Sequence, residues 1–149
     1  MKKRLAIMIP LAAVVAAVMV YLLAARPWLV TNDPNTYDIR ADAPVSIIFD
    51  QFDKTRGVYR IVNSGSGAAF CTNRFALQYQ KNGGWYNVKA DNSGESQVAL
   101  KLEPGGTEYF STFWRSGEKP IPGGEYRLVT PIKTGSGGDY WIAAPFSVP

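Results

Sequence analysis

Between Val45 and Val148 apolar residues return at every second position, in short runs broken by turn residues and never at the 3.6-residue period of a helix. Val45-Ser46-Ile47-Ile48-Phe49 is β-branched and apolar, and Val58-Tyr59-Arg60-Ile61-Val62 follows the polar Lys54-Thr55-Arg56-Gly57. From Arg74 to Gln80 the chain alternates, with Phe75, Leu77 and Tyr79 on one face and Ala76, Gln78 and Gln80 on the other. Asn82-Gly83-Gly84 is a tight hairpin signal leading into Trp85-Tyr86-Asn87-Val88. Val98, Leu100 and Leu102 share a face, Tyr109 to Trp114 is rich in aromatics, and Gly123-Gly124 introduces Tyr126 to Val129. Tyr140-Trp141-Ile142 opens a last strand that ends near Val148. These spacings predict about eight strands in roughly 105 residues. Each sheet then has one apolar face, and two such faces bury each other in an all-β sandwich.

The N-terminus obeys a different rule. Leu5 to Ala25 is uncharged, and those residues as a helix reach roughly 30 Å, about one bilayer core. Lys2, Lys3 and Arg4 precede it and stay preferentially cytoplasmic, so the rest of the chain is expected outside. Tyr21, Arg26 and Trp28 are placed for the outer interface. A cleaved secretory signal ending near Ala25 is the alternative, suggested by the small residues Ala24 and Ala25. The apolar run exceeds a signal core, and Leu23 would stand at position −3, so the expectation is an uncleaved anchor over 1–26 that meets the lipid bilayer through 5–25. Residues 27–44, broken by Pro34 and Pro44, are expected as a stalk, and 45–149 as the folded domain.

Charge and chemistry exclude several functions. The chain carries 16 Lys and Arg against 12 Asp and Glu. Lys2, Lys3, Arg4 and Arg26 flank the apolar run, so the exported part is electroneutral. The basic balance reports membrane topology, and no nucleic-acid partner is expected. There is no histidine, which excludes Ser-His-Asp and Cys-His nucleophiles and histidine metal sites. No CxxC, phosphate loop or dinucleotide glycine pattern occurs, and no cofactor is expected. The carboxylate pairs Asp50/Asp53 and Asp91/Glu95 fall in turns, where Asp serves local backbone hydrogen bonds, so an enzyme is not expected. Gly135-Ser136-Gly137-Gly138 reads as a hairpin loop. The single Cys71 cannot form an internal disulfide. It reads as a small, half-buried apolar residue, the alternative being an exposed thiol pairing between chains.

Aromatics remain as the binding candidates. Trp85/Tyr86, Phe113/Trp114 and Tyr140/Trp141 are adjacent pairs whose members point to opposite faces, so one of each is expected outward. Trp85, Tyr86, Trp114 and Trp141 form the candidate surface, for an extracellular protein or a cell-wall ligand.

Tyr59-Arg60-Ile61-Val62-Asn63, Leu102-Glu103-Pro104-Gly105-Gly106, Trp114 and Gly124-Glu125-Tyr126-Arg127-Leu128-Val129 occur in this order. The order resembles a bacterial immunoglobulin-like domain family of exported Gram-positive proteins, from about Val45 to Val148. The resemblance implies an immunoglobulin-like antiparallel β-sandwich of seven to nine strands, and a non-enzymatic binding or structural module of the cell surface. Gly124-x-Tyr126 looks like the tyrosine corner of such sandwiches, with Leu128 where antibody domains carry a cysteine. A secreted proteinase-inhibitor-like family shares the "PG…W…G-x-Y" order, which leaves an inhibitor or ligand-sensing domain as the alternative.

Overall fold

The computed structural model describes residues 2–26, 28–32, 34, 37–89, 99–135 and 138–149, with side chains of the N-terminal helix placed at 12–23. Helix α1 spans Lys2–Ala25. Nine strands follow: β1 Val45–Phe52, β2 Arg56–Asn63, β3 Ala69–Cys71, β4 Ala76–Lys81, β5 Gly84–Asn87, β6 Leu100–Leu102, β7 Thr107–Phe113, β8 Gly124–Thr134 and β9 Tyr140–Val148. Among the described residues no helix is long and apolar enough to cross a membrane.

The strands form a three-stranded sheet, β1-β2-β7, and a six-stranded sheet, β5-β4-β8-β3-β6 with β9 on the other edge of β8. All named strand pairs are antiparallel. This fits an immunoglobulin-like β-sandwich. Ile47, Tyr59 and Ile61 of the smaller sheet bury against Tyr126, Leu128, Ile132, Ile142 and Phe146 of the larger. The alternation expected from the sequence is visible in β2, where Gly57, Tyr59, Ile61 and Asn63 point in and Val58, Arg60 and Val62 are half-exposed.

Local chemistry fixes the turns. Asn82 and Gly83 both take positive φ, 50° and 76°, as a two-residue hairpin between β4 and β5 requires. Between β1 and β2, the Asp53 carboxylate accepts from the Thr55 hydroxyl and amide (2.6 Å each) and the Arg56 amide (2.9 Å). Those hydrogen bonds, Thr55 foremost, hold its carboxyl down at about 2. The phrases that carry the family resemblance meet in space. Asn63, fully buried, donates from its side chain to the carbonyls of Gly67 and Leu102 and accepts from the Gly65 amide. Its backbone bonds both Gly105 and Gly106, in the turn where Gly105 has φ 75°. Tyr126 is fully buried, and its hydroxyl donates to the Pro122 carbonyl at 2.7 Å, closing the expected tyrosine corner.

Two elements escape the sequence pattern. Strand β3 has only three residues, held between β8 and β6, too few for a period to show. Parts of 27–44 also lie on the domain. Leu29 and Val30 are core residues, Val30 bridges Val88, and the Thr31 amide donates to the Asn87 carbonyl. Ile39 forms a parallel bridge to Trp141, and the Arg40 amide donates to the Trp141 carbonyl. The segment therefore lies along two edge strands of the larger sheet, β5 with 29–31 and β9 with 38–40, and among the described residues leaves β6 uncovered by it. Exposed strand edges are pairing hazards, and covering them is a usual remedy.

Candidate binding surfaces

Trp114, placed by the sequence on the candidate surface, is a core residue. It is 0% exposed, stacks on Phe146 at 5.0 Å and donates its indole N–H to the Asp53 carbonyl at 2.7 Å. A Cβ on Gly57 would stand 2.2 Å from the indole, so only glycine fits beneath the ring. Strand β7 ends at Phe113, and the outward member of that aromatic pair is Phe113, 43% exposed.

The other three positions are half-buried, each with a neighbour on its ring. Trp85 lies under the Arg127 guanidinium, 4.4 Å from carbon to ring centroid. Arg127 Nε donates to Gln78 Oε1 at 2.7 Å, and Gln78 Nε2 donates to Asn87 Oδ1 at 3.0 Å. Gln78 is on the face of β4 away from the core and is nonetheless 0% exposed. Burial lowers the pKa of Arg127 from its ordinary value. Tyr86 packs against the core and takes the Lys81 ammonium over its ring at 5.5 Å. Trp141 packs against Tyr37 at 4.3 Å, so the leading segment covers part of the surface it offers. Trp85 and Tyr86 share one edge strand; Trp141 stands on the far side of β8. They do not form one patch.

Two further surfaces carry no signal in the sequence, because residues from distant runs build them. An open groove of about 650 Å³ lies between β1 and β9, with Phe49, Phe52 and Phe146 among its lining residues and 39–43 contributing to one wall. Mutual ring contacts of 4.9 to 5.5 Å hold those three aromatics together. The outer face of the smaller sheet is uncovered: Tyr109 is 67% exposed, Phe113 43% and Ile48 39%. Arg60 pairs with Asp50 there at 3.1 Å.

Cys71 is completely buried in β3, and burial, with the Glu108 charge as a lesser cause, pushes its thiol up to about 11. A buried neutral thiol is not placed to pair between chains. Asp53 serves its turn, Asp50 serves Arg60, and Asp91 and Glu95 lie outside the described residues. Among the described residues no three His, Cys, Asp or Glu side chains gather as a metal site would need.

A two-sheet antiparallel sandwich locked by a tyrosine corner, with one aromatic-lined groove and no assembled reactive cluster among the described residues, defines an immunoglobulin-like module. Residues 45–147 match the family model of the bacterial Ig-like domain, and the chain belongs to that family. Such domains are surface or structural modules and are generally non-enzymatic. No curated protein matches the chain.

Proposed function

We propose that this chain is a single-pass membrane protein that displays a non-enzymatic, immunoglobulin-like binding or structural module on the outer face of a bacterial membrane. One observation carries the reading: Leu5–Ala25 is an uncharged run of bilayer length, cationic at Lys2-Lys3-Arg4, directly ahead of a domain of this family. The helical backbone of α1 over Lys2–Ala25 supports it. The partner is an extracellular protein or a cell-wall ligand. The groove between β1 and β9 supports a binding role, being concave, largely apolar and lined by aromatics.

N-terminal sequencing and detergent partition of the protein from native membranes test the anchor. An intact N-terminus in the detergent phase is expected, and a new N-terminus near Arg26 in the soluble fraction overturns it. Crosslinking in the membrane tests the groove: Ala41→Arg with Ser46→Arg, both at exposed groove positions, is expected to abolish a partner adduct that Tyr109→Ser leaves intact. An adduct indifferent to the arginines moves the site elsewhere.

A further inference from the structure

One end of the sandwich gathers the β1–β2 turn, the β4–β5 hairpin, the β7–β8 connection and the end of β9. The Trp114 amide donates to the Thr55 carbonyl, the Ile121 amide donates to the Lys54 carbonyl, and Gly124 pairs with Val148. Helix α1 delivers the chain to this same end. The Arg26 amide donates to the Leu22 carbonyl, its guanidinium donates to the Gly123 carbonyl at 2.6 Å, and it lies 5.4 Å from the Tyr79 ring centre. Val30 bridges Val88, at the end of β5 away from its hairpin, so the contact of Arg26 with Gly123 is what ties this end to the helix. This end cannot stand far from where the helix finishes.

The composition of this end departs from the rest of the domain. Arg26, Lys54, Arg56, Lys81, Arg115 and Lys119 lie on it or at its rim. Among the described residues Asp53, Glu118 and Glu125 oppose them, and the other described residues after α1 carry seven cations against six carboxylates. Two large aromatics there are open to solvent, Phe52 at 42% and Phe113 at 43%. Exposed aromatics ringed by Lys and Arg suit a membrane interface, where rings sit at headgroup level and cations meet lipid phosphates.

We propose that this end is a docking platform for anionic phospholipid headgroups, holding the domain against the outer membrane surface in one orientation. The proposal rests on α1 being the anchor proposed above. The groove between β1 and β9 then opens sideways, and the loops around Gly65 and Gly105 point away from the bilayer.

The test uses the full chain in vesicles of neutral phosphatidylcholine alone or with anionic phosphatidylglycerol. Single thiols are placed by Pro120→Cys at the platform, which keeps all six cations, and by Ser66→Cys at the far end; both positions are exposed, while Cys71 is buried. The rate of reaction with a water-soluble maleimide is compared with that in detergent, and an alkaline carbonate wash reports insertion independently. Docking slows the reaction at position 120 by about tenfold in anionic vesicles, with recovery at high salt, while position 66 is unchanged. An inserted chain with equal rates at position 120 in neutral and anionic vesicles overturns the platform and leaves the anchor standing. Release by carbonate overturns the anchor, and the platform with it.

Discussion

The two sheets of the sandwich treat their outer faces in opposite ways. On the larger sheet the face away from the core is closed: Gln78 and Val129 are 0% exposed, Arg127 covers Trp85, and Tyr37 packs on Trp141. On the smaller sheet the corresponding face is bare, with Tyr109, Phe113 and Ile48 open and, among the described residues, no strand beyond β7. Part of the cover is the sheet's own, Arg127 lying over Trp85 and bonded to Gln78, and part is the segment between α1 and β1, whose Tyr37 packs on Trp141. A β-sheet's faces are set by its own period, and its edges and cover depend on what the rest of the chain brings.

The largest expected effect falls on what the sheets share. Trp114→Ala removes a fully buried indole from between them and is expected to cost about 3–5 kcal/mol, read by chemical denaturation. Gly57→Ala forces a methyl group into the same ring and is expected to unfold the domain through the same contact. Leu29→Ala sharpens the comparison. It is expected to cost about 2–4 kcal/mol, with hydrogen exchange rising in β5 before β7. Equal loosening of both sheets would show that the leading segment stabilises the whole and not one edge.

Gln78→Met keeps the volume but strips Arg127 and Asn87 of their partner, at an expected cost of about 1–3 kcal/mol. Tyr109→Ser, on the bare face, is expected to change stability by less than about 0.5 kcal/mol. The smallest effect is acidic. Asp53 has a depressed folded-state pKa of about 2, so its contribution is complete above its ordinary carboxylate range and is lost as pH falls through 2. The melting temperature of Asp53→Asn is expected to converge on that of the parent protein between pH 4 and pH 2. A constant gap would mean that the hydrogen bonds at Thr55 and Arg56 do not depend on the charge.

Period and turn chemistry made most of the sandwich legible. Val58 to Asn63 alternates where β2 alternates, Asn82-Gly83 turns where the hairpin turns, and Tyr126 bonds Pro122 as a tyrosine corner does. Those signals are local. Trp114 was misplaced because alternation says that neighbours diverge without saying which one faces inward; β7 stops at Phe113, and the chain then turns into the core. Gln78 looked like an outward polar residue because its cover, Arg127, is 49 positions away. Leu29 and Val30 were hidden in a polar stretch with no period to mark them. The groove between β1 and β9 joins runs nearly a hundred residues apart, and no local pattern announces it.

Gly123 is held from two sides. Arg26 takes its carbonyl, and a side chain there would stand 3.0 Å from the Pro149 carbonyl oxygen. The folded body thus begins and finishes at one end. With α1 held as proposed, a pull on the distal loops runs lengthwise down the strands and across hydrogen bonds that lie perpendicular to it. Those bonds must shear together and cannot be unzipped one at a time. Under mechanical load the domain would therefore behave as a stiff tether whose lifetime is set by its unfolding rate.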